Sequence, residues 1–203
     1  VYSLTVTYPG TGCTSAVSTT TAVTVNAVPT ISSVSASPTL LCVGSTISLS
    51  ATGVTGFSGS PTYAWTGPNS YSSAATAPSF TASVTAASGV YSLTVTYPGT
   101  GCTSATSTTT AVTVNAVPTI SSVSASPTLL CIGSTISLSA TGVTGGSGSP
   151  TYAWSGPNSY SSTAAAPSFT ASVTAASGVY SLTVTYPGTG CTSAVSTTTA
   201  VTV

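Results

Sequence analysis

The chain predicts an all-β protein made of tandem antiparallel sandwiches or barrels. Three observations carry this. The stretch VYSLTVTYPGTGC begins at Val1, Val90 and Val179, so the sequence repeats every 89 residues. Within a repeat the apolar residues alternate with Ser and Thr, the period of half-buried strands. Gly, Pro and Asn clusters punctuate those runs at short, regular spacing.

The repeat sets the folding unit. Residues 1–89 and 90–178 differ only at Val17/Thr106, Val43/Ile132, Phe57/Gly146, Thr66/Ser155, Ala74/Thr163 and Thr76/Ala165, and residues 179–203 match 1–25 without a change. The chain reads as a window from a longer array: a partial unit at 1–25, then complete units at 26–114 and 115–203. The join is NAVPT, at Asn26–Thr30 and Asn115–Thr119. Each unit is long enough for one small core.

The strands follow in order. STISLSA (Ser45–Ala51) places Ile47, Leu49 and Ala51 on one face. TYAWT (Thr62–Thr66) puts Tyr63 and Trp65 together. SFTASV (Ser79–Val84) aligns Phe80, Ala82 and Val84. VYSLTVTY (Val90–Tyr97) aligns Tyr91, Leu93, Val95 and Tyr97. TTTAVTV (Thr108–Val114) alternates Val112 and Val114 with Thr. The outward positions are Ser and Thr, and Thr favours strands while staying wettable. Between them lie Pro38, Gly44, Gly56–Pro61, Gly67–Asn69, Pro78, Ser88–Gly89 and Pro98–Gly101 as turns. No face of helical period is present. Phe57 is Gly146 in the next copy, so its loop reads as tolerant.

Composition bounds the chemistry. The chain has no Lys, Arg, Asp, Glu or His. General acid–base catalysis ordinarily draws on His or a carboxylate, and a Ser nucleophile needs a neighbouring base. Calcium and magnesium take carboxylates; zinc takes clustered Cys, His or acidic ligands. Nucleic-acid binding rests on Lys and Arg. The expectation is a non-enzyme with no cofactor, no metal, no nucleic-acid partner and no membrane insertion. No apolar run approaches the length of a spanning helix. Disorder is not expected either, since 41% of residues are hydrophobic and no net charge opposes collapse.

The run GSTISLSA…TYAWTGPNSY…SFTASVTAASGVYSLTV resembles an immunoglobulin-like domain. More narrowly, the pattern of cysteine, YxWxGP, sGxYxxTVT, GC and TVTV resembles the immunoglobulin-like and PKD-like repeats of large secreted adhesins and surface proteins of Bacteroidota. The resemblance covers the whole repeat. It implies tandem immunoglobulin-like antiparallel β-sandwich domains. Trp65 and Trp154 take the place of the buried strand-C tryptophan, and Tyr91 and Tyr180 that of the corner tyrosine. Leu49 and Leu93 join the core. The positions of the usual inter-sheet disulfide are Ala51 and Leu93, so that staple is missing.

The resemblance also bears on the five cysteines. In such a sandwich Cys42 falls at the corner before strand B, and Cys102 after the F–G turn, at the opposite end. A strand running from Cys102 to Val114 would span roughly 40 Å at about 3.3 Å per residue, while a disulfide needs a Cα separation of about 4.4–6.8 Å. Head-to-tail stacking would instead set Cys42 beside Cys191. That reading pairs Cys13 and Cys102 with a preceding unit and Cys131 with a following one. Pairing within units, Cys42–Cys102 and Cys131–Cys191 with Cys13 single, stays open here.

Tyr63 and Trp65 read as core rather than a sugar-stacking pair. Tyr71 and Tyr160 are the better candidates for exposed contact, against the plainer reading that they pack on their own turn. None of the four Asn begins a glycosylation sequon. The implied function is an extracellular structural array, a surface filament or adhesin stalk. Its partner is itself, head to tail and laterally. The alternative is a module that binds glycans or surfaces through its loops.

Overall fold

The computed structural model describes residues 1–56 and 59–203; Phe57 lies outside the described residues. Two successive β-sandwiches, each with its own core, follow an N-terminal hairpin. The hairpin pairs β1 (Ser3–Leu4) with β2 (Ser18–Thr19).

In the first sandwich, β3 (Ser33–Ser37), β5 (Thr46–Thr52) and β8 (Ser79–Thr81) form one antiparallel sheet, in the order β3-β5-β8. Between β3 and β5 lies β4 (Leu40–Cys42). The facing sheet runs β10-β9-β6-β7, built from β6 (Thr62–Gly67), β7 (Tyr71–Ser73), β9 (Ser92–Tyr97) and β10 (Cys102–Thr103), with β11 (Ser107–Thr108) also on β9. Finally β12 (Thr113–Asn115) returns beside β4 in parallel, with Asn115 opposite Cys42. The cis Ser37–Pro38 bond marks where the chain leaves β3 for β4.

The second sandwich repeats this plan. β13 (Ser122–Ser126), β14 (Thr135–Thr141) and β17 (Ser168–Thr170) make one sheet. β15 (Thr151–Gly156), β16 (Tyr160–Ser162), β18 (Ser181–Tyr186), β19 (Cys191–Thr192) and β20 (Ser196–Thr197) make the other. This is the immunoglobulin-like arrangement.

Alternation decides what goes inside. Ile47, Leu49, Trp65, Leu93 and Val95 close the core of the first unit; Ile136, Leu138, Trp154, Leu182 and Val184 close that of the second. The residues between them face water, and many are tied across strands by their hydroxyls. Ser33 with Thr52, Ser35 with Ser50, and Thr96 with Thr103 are hydrogen-bonded at 2.7–2.8 Å. Such cross-strand hydroxyl pairs stabilise a sheet face without any charge.

Four expectations need correction. The strand placed at Ser79–Val84 ends at Thr81; Ala82 is buried, but Val84 is exposed and leads into a short 3₁₀ turn, Thr85–Ala87. The turn lifts Ala87 into the core and offers its carbonyl to the Tyr91 hydroxyl at 2.6 Å. The strand expected over Thr108–Val114 is broken, because its first part pairs with β9 and its last part crosses to β4. Tyr63 sits at the edge rather than the centre: it is half-buried and packs against the core cluster that Trp65 fills. Tyr71 is no free contact residue: its ring stacks on Phe80 at 4.0 Å and meets Tyr91 edge-on at 5.5 Å, and Tyr160 does the same with Phe169 and Tyr180. A three-ring cluster buries more area than a tyrosine folded onto its own turn, and that area decides.

The inter-domain junction as candidate functional site

The two units meet where β12 ends. Asn115 closes the parallel ladder on β4: its carbonyl accepts from Val43 N at 2.8 Å, and its Nδ2 donates to Leu41 O at 3.4 Å. The chain then passes Val117 and Pro118. Pro118 is buried, and a side chain at Gly145 would run into the Val117 carbonyl and Pro118 Cα. Proline fixes φ along this stretch, and the loop bearing Gly145 leans on it. So the linker is held from both sides.

A disulfide joins Cys42 to Cys191 across this junction, with a Cα separation of 5.7 Å and 149 residues between them in sequence. The geometry follows from the ladder. Cys42 sits opposite Asn115, at the end of the sandwich where the chain leaves for the next unit. Cys102 pairs with Tyr97 at the opposite end of the same sandwich. Cys191 occupies the Cys102 position of the following unit, so stacking brings it to Cys42.

Cys13, Cys102 and Cys131 are free thiols; Cys13 and Cys131 are exposed and Cys102 is half-buried. The junction changes the environment of equivalent residues. Leu41 is buried at the junction, while Leu130, its counterpart at the far end of the second unit, is half-exposed; Val43 is half-buried, while Ile132 is 57% exposed. Cys191 is buried, and Cys102 is less so. The stacked unit therefore covers an apolar end composed of Leu41, Cys42 and Val43.

Within each unit the corner tyrosine is firmly held. Tyr91 Oη donates to Ala87 O and Tyr180 Oη to Ala176 O, both buried. Burial raises both phenols above their ordinary range, with Tyr71 and Tyr160 acting in the same direction. Gly67 makes room for this ring, since a Cβ there would overlap Tyr91. Trp154 Nε1 donates to Ala164 O at 3.1 Å, while Trp65 Nε1 is buried without a hydrogen-bond partner. The two units differ beside this indole, at Ala74/Thr163 and Thr76/Ala165.

Leu49 and Leu93 both lie in the first core, with Trp65 and Tyr91. A shallow groove on the β6–β7 face is lined by Tyr63, Trp65 and Ser73 among others. It offers little for stacking, because Trp65 is 1% exposed. Among the described residues no three His, Cys, Asp or Glu side chains gather at one place, and no helix is long and apolar enough to cross a membrane.

Asn115 and the apolar pair Leu41 and Val43 at the junction were not among the residues expected from the sequence. A signal was present: an Asn recurs at each join, Asn26 and Asn115, and two aliphatics flank the cysteine that follows it, Leu41-Cys42-Val43 and Leu130-Cys131-Ile132.

No family model matches the chain, and no curated protein matches it. Among solved structures, it is similar to murine CEACAM1b at 12% identity, covering 84% of this chain and 98% of that one, with a TM-score of 0.40. The first four immunoglobulin domains of Sidekick-1 align at 13% identity, over 89% of this chain and 50% of that one, with a TM-score of 0.43. The N-terminal two-domain module of the Drosophila receptor protein tyrosine phosphatase DLAR aligns at 14% identity, over 87% of this chain and all of that one, with a TM-score of 0.32.

Proposed function

We propose that this chain is a non-catalytic, extracellular structural protein, a length of bacterial surface filament or adhesin stalk assembled from tandem immunoglobulin-like units. The observation that carries the reading is the riveted junction. A binding module gains nothing from a covalent bond between neighbouring domains, whereas a load-bearing array does. Cys42–Cys191 closes a loop that spans the junction, so tension along the chain cannot part the two units without breaking a covalent bond. Disulfides persist in oxidising compartments, which supports an array held outside the cell.

The surface supports lateral packing as well. With no charged side chain, nothing repels a neighbouring copy, and edge strands without Lys invite pairing. Association of this kind is nearly independent of ionic strength, because salt screens only charges. Trypsin and Glu-specific proteases have no cleavage site in the sequence, which suits a persistent fibre.

The test is imaging of the native assembly by electron microscopy. Fibres with an axial repeat of one or two units, intact in moderate salt, are expected. Isolated particles, or fibres that dissolve in moderate salt, contradict the reading. Glycan-array binding by the two units, with no fibres, would favour a surface-binding module instead.

A further inference from the structure

The two outer faces of each sandwich differ. Over β3, β5 and β8 the outward residues are Ser and Thr, and many of their hydroxyls are taken up by one another. Ser33 bonds to Thr52 and Ser35 to Ser50, as Ser122 does to Thr141 and Ser124 to Ser139 in the second unit. The opposite face is apolar at one end. There β12 runs between β4 and the segment that enters β9. Thr113 lies beside Leu40, and Val112 exchanges both backbone hydrogen bonds with Gly89, at 2.8 Å each. Val112 and Val114 turn inward with Leu41 and Tyr91. The alternate residues therefore turn outward: Leu40, Val90 and Ala111 stand exposed around Thr113. The second unit repeats the group as Leu129, Val179 and Ala200 around Thr202.

Head-to-tail stacking does not use this patch. Leu40 adjoins the bridged junction and is still 52% exposed. Val90 of the first unit and Val179 of the second are alike, at 43% and 44%, although the junction closes only the first unit's exit end. We infer that the patch is the seam along which a second copy of this chain packs, so that arrays associate side by side in pairs. This deepens the filament reading and rests on it.

Charge and spacing fix the occupant. A charged partner would bury its charges against a surface with no charged side chain to pair them, and unpaired burial is costly. A second copy carries no charged side chain either. Its patches recur at the same 89-residue interval and with the same turn between units, so two arrays match patch on patch along their length. Contacts linked in this way reinforce one another. Leu, Val and Ala need no hydrogen-bond partner, and the Thr113 hydroxyl can donate to or accept from its own counterpart. A patch that binds its own copy makes a closed two-fold contact. The hydroxyl face on the other side has little apolar area to remove from water, so association stops at two arrays.

The experiment is sedimentation equilibrium of the full chain, disulfide intact, over a range of concentrations at moderate salt. The parent is expected to show a monomer–dimer equilibrium. Val90→Thr with Val179→Thr keeps side-chain shape and strand preference, and should weaken the dimer at least about tenfold. Thr113→Lys with Thr202→Lys sets like charges against each other across the seam and should abolish it. Ser48→Lys with Ser137→Lys puts the same charges on the hydroxyl face and should leave the dimer as in the parent. All these positions are exposed, so the unfolding midpoints should match the parent's. The inference is overturned by a parent that stays monomeric, by one that grows past the dimer, or by a dimer that survives both patch variants. Equal loss in the Ser48→Lys variant also overturns it, by moving the contact to the hydroxyl face. A monomeric parent that cosediments with phosphatidylcholine vesicles would assign the patch to lipid instead. Native fibres one array wide sink this inference and leave the filament reading standing; absence of native fibres sinks that reading alone, since pairing of the chain is read separately in solution.

Discussion

The hairpin at 1–25 and the hairpin at 179–203 separate two things that a hydrophobic pattern usually confounds. Both carry the same residues, the same register and the same internal hydrogen bonds. Val6 N donates to Ser15 Oγ at 3.1 Å and Val184 N to Ser193 Oγ at 3.0 Å; Thr7 pairs with Thr14 and Thr185 with Thr192 through their hydroxyls at 2.9 and 2.7 Å. Only the second has a sheet packed over its apolar face. So alternation and side-chain hydrogen bonds set the local shape, and burial supplies the free energy that differs between them.

That contrast can be broken at graded points. The largest effect is expected at the buried leucine. Leu182→Ala destabilises the second unit by about 2–5 kcal/mol, the range for emptying a core leucine site, whereas Leu4→Ala stays within about 0.5 kcal/mol, as for an exposed position. Denaturant titration, with hydrogen exchange at β18 reporting the second unit, separates them. Equal effects would mean that residues 1–25 are covered.

Ser193→Ala comes next. It removes the acceptor of Val184 N in a buried setting and costs about 1–3 kcal/mol, because the amide is left without partner or water. Ser15→Ala leaves an amide that water reaches, and should be nearly silent in the same titration.

A smaller loss follows from Tyr180→Phe, which removes the hydrogen bond to Ala176 O at 2.7 Å. About 1 kcal/mol is expected; Tyr2→Phe should change nothing. The same tyrosine gives the smallest effect, on pH dependence. Burial holds the folded phenol above its ordinary value, so the unfolded chain ionises first as pH rises. The stability it contributes is full below about pH 10 and is lost as pH rises from there through the raised folded value. Melting curves at pH 9 and 11 should show a decline that Tyr180→Phe with Tyr91→Phe flattens.

Much of this was legible in the sequence for a physical reason. Leu49, Leu93, Trp65 and Tyr91 recur at period two inside runs that can only be half-buried strands, so their inward facing needs no knowledge of neighbours. The cysteines could be reasoned about because chain direction fixes which end of a sandwich each occupies. What escaped depended on partners distant in sequence. Val84 is apolar and in phase, yet the chain turns at Thr85 so that Ala87 can meet Tyr91. Thr109 to Thr113 alternates well, but the strand changes sheets there to reach Leu40. Tyr71 was ambiguous until Phe80 was seen to stack on it. The pattern marks faces; it does not say which sheet collects them.

The bond between successive units is what makes the array riveted, and the repeat carries its own labels for testing it. Val43 marks the Cys42 peptide against Ile132 beside Cys131, and Thr106 marks the Cys102 peptide against Val195 beside Cys191. Non-reducing chymotryptic mapping of the native protein should yield a Val43-bearing peptide joined to a Val195-bearing one. A Val43-bearing peptide joined to a Thr106-bearing one would place the bridge inside a single sandwich and contradict the riveted array.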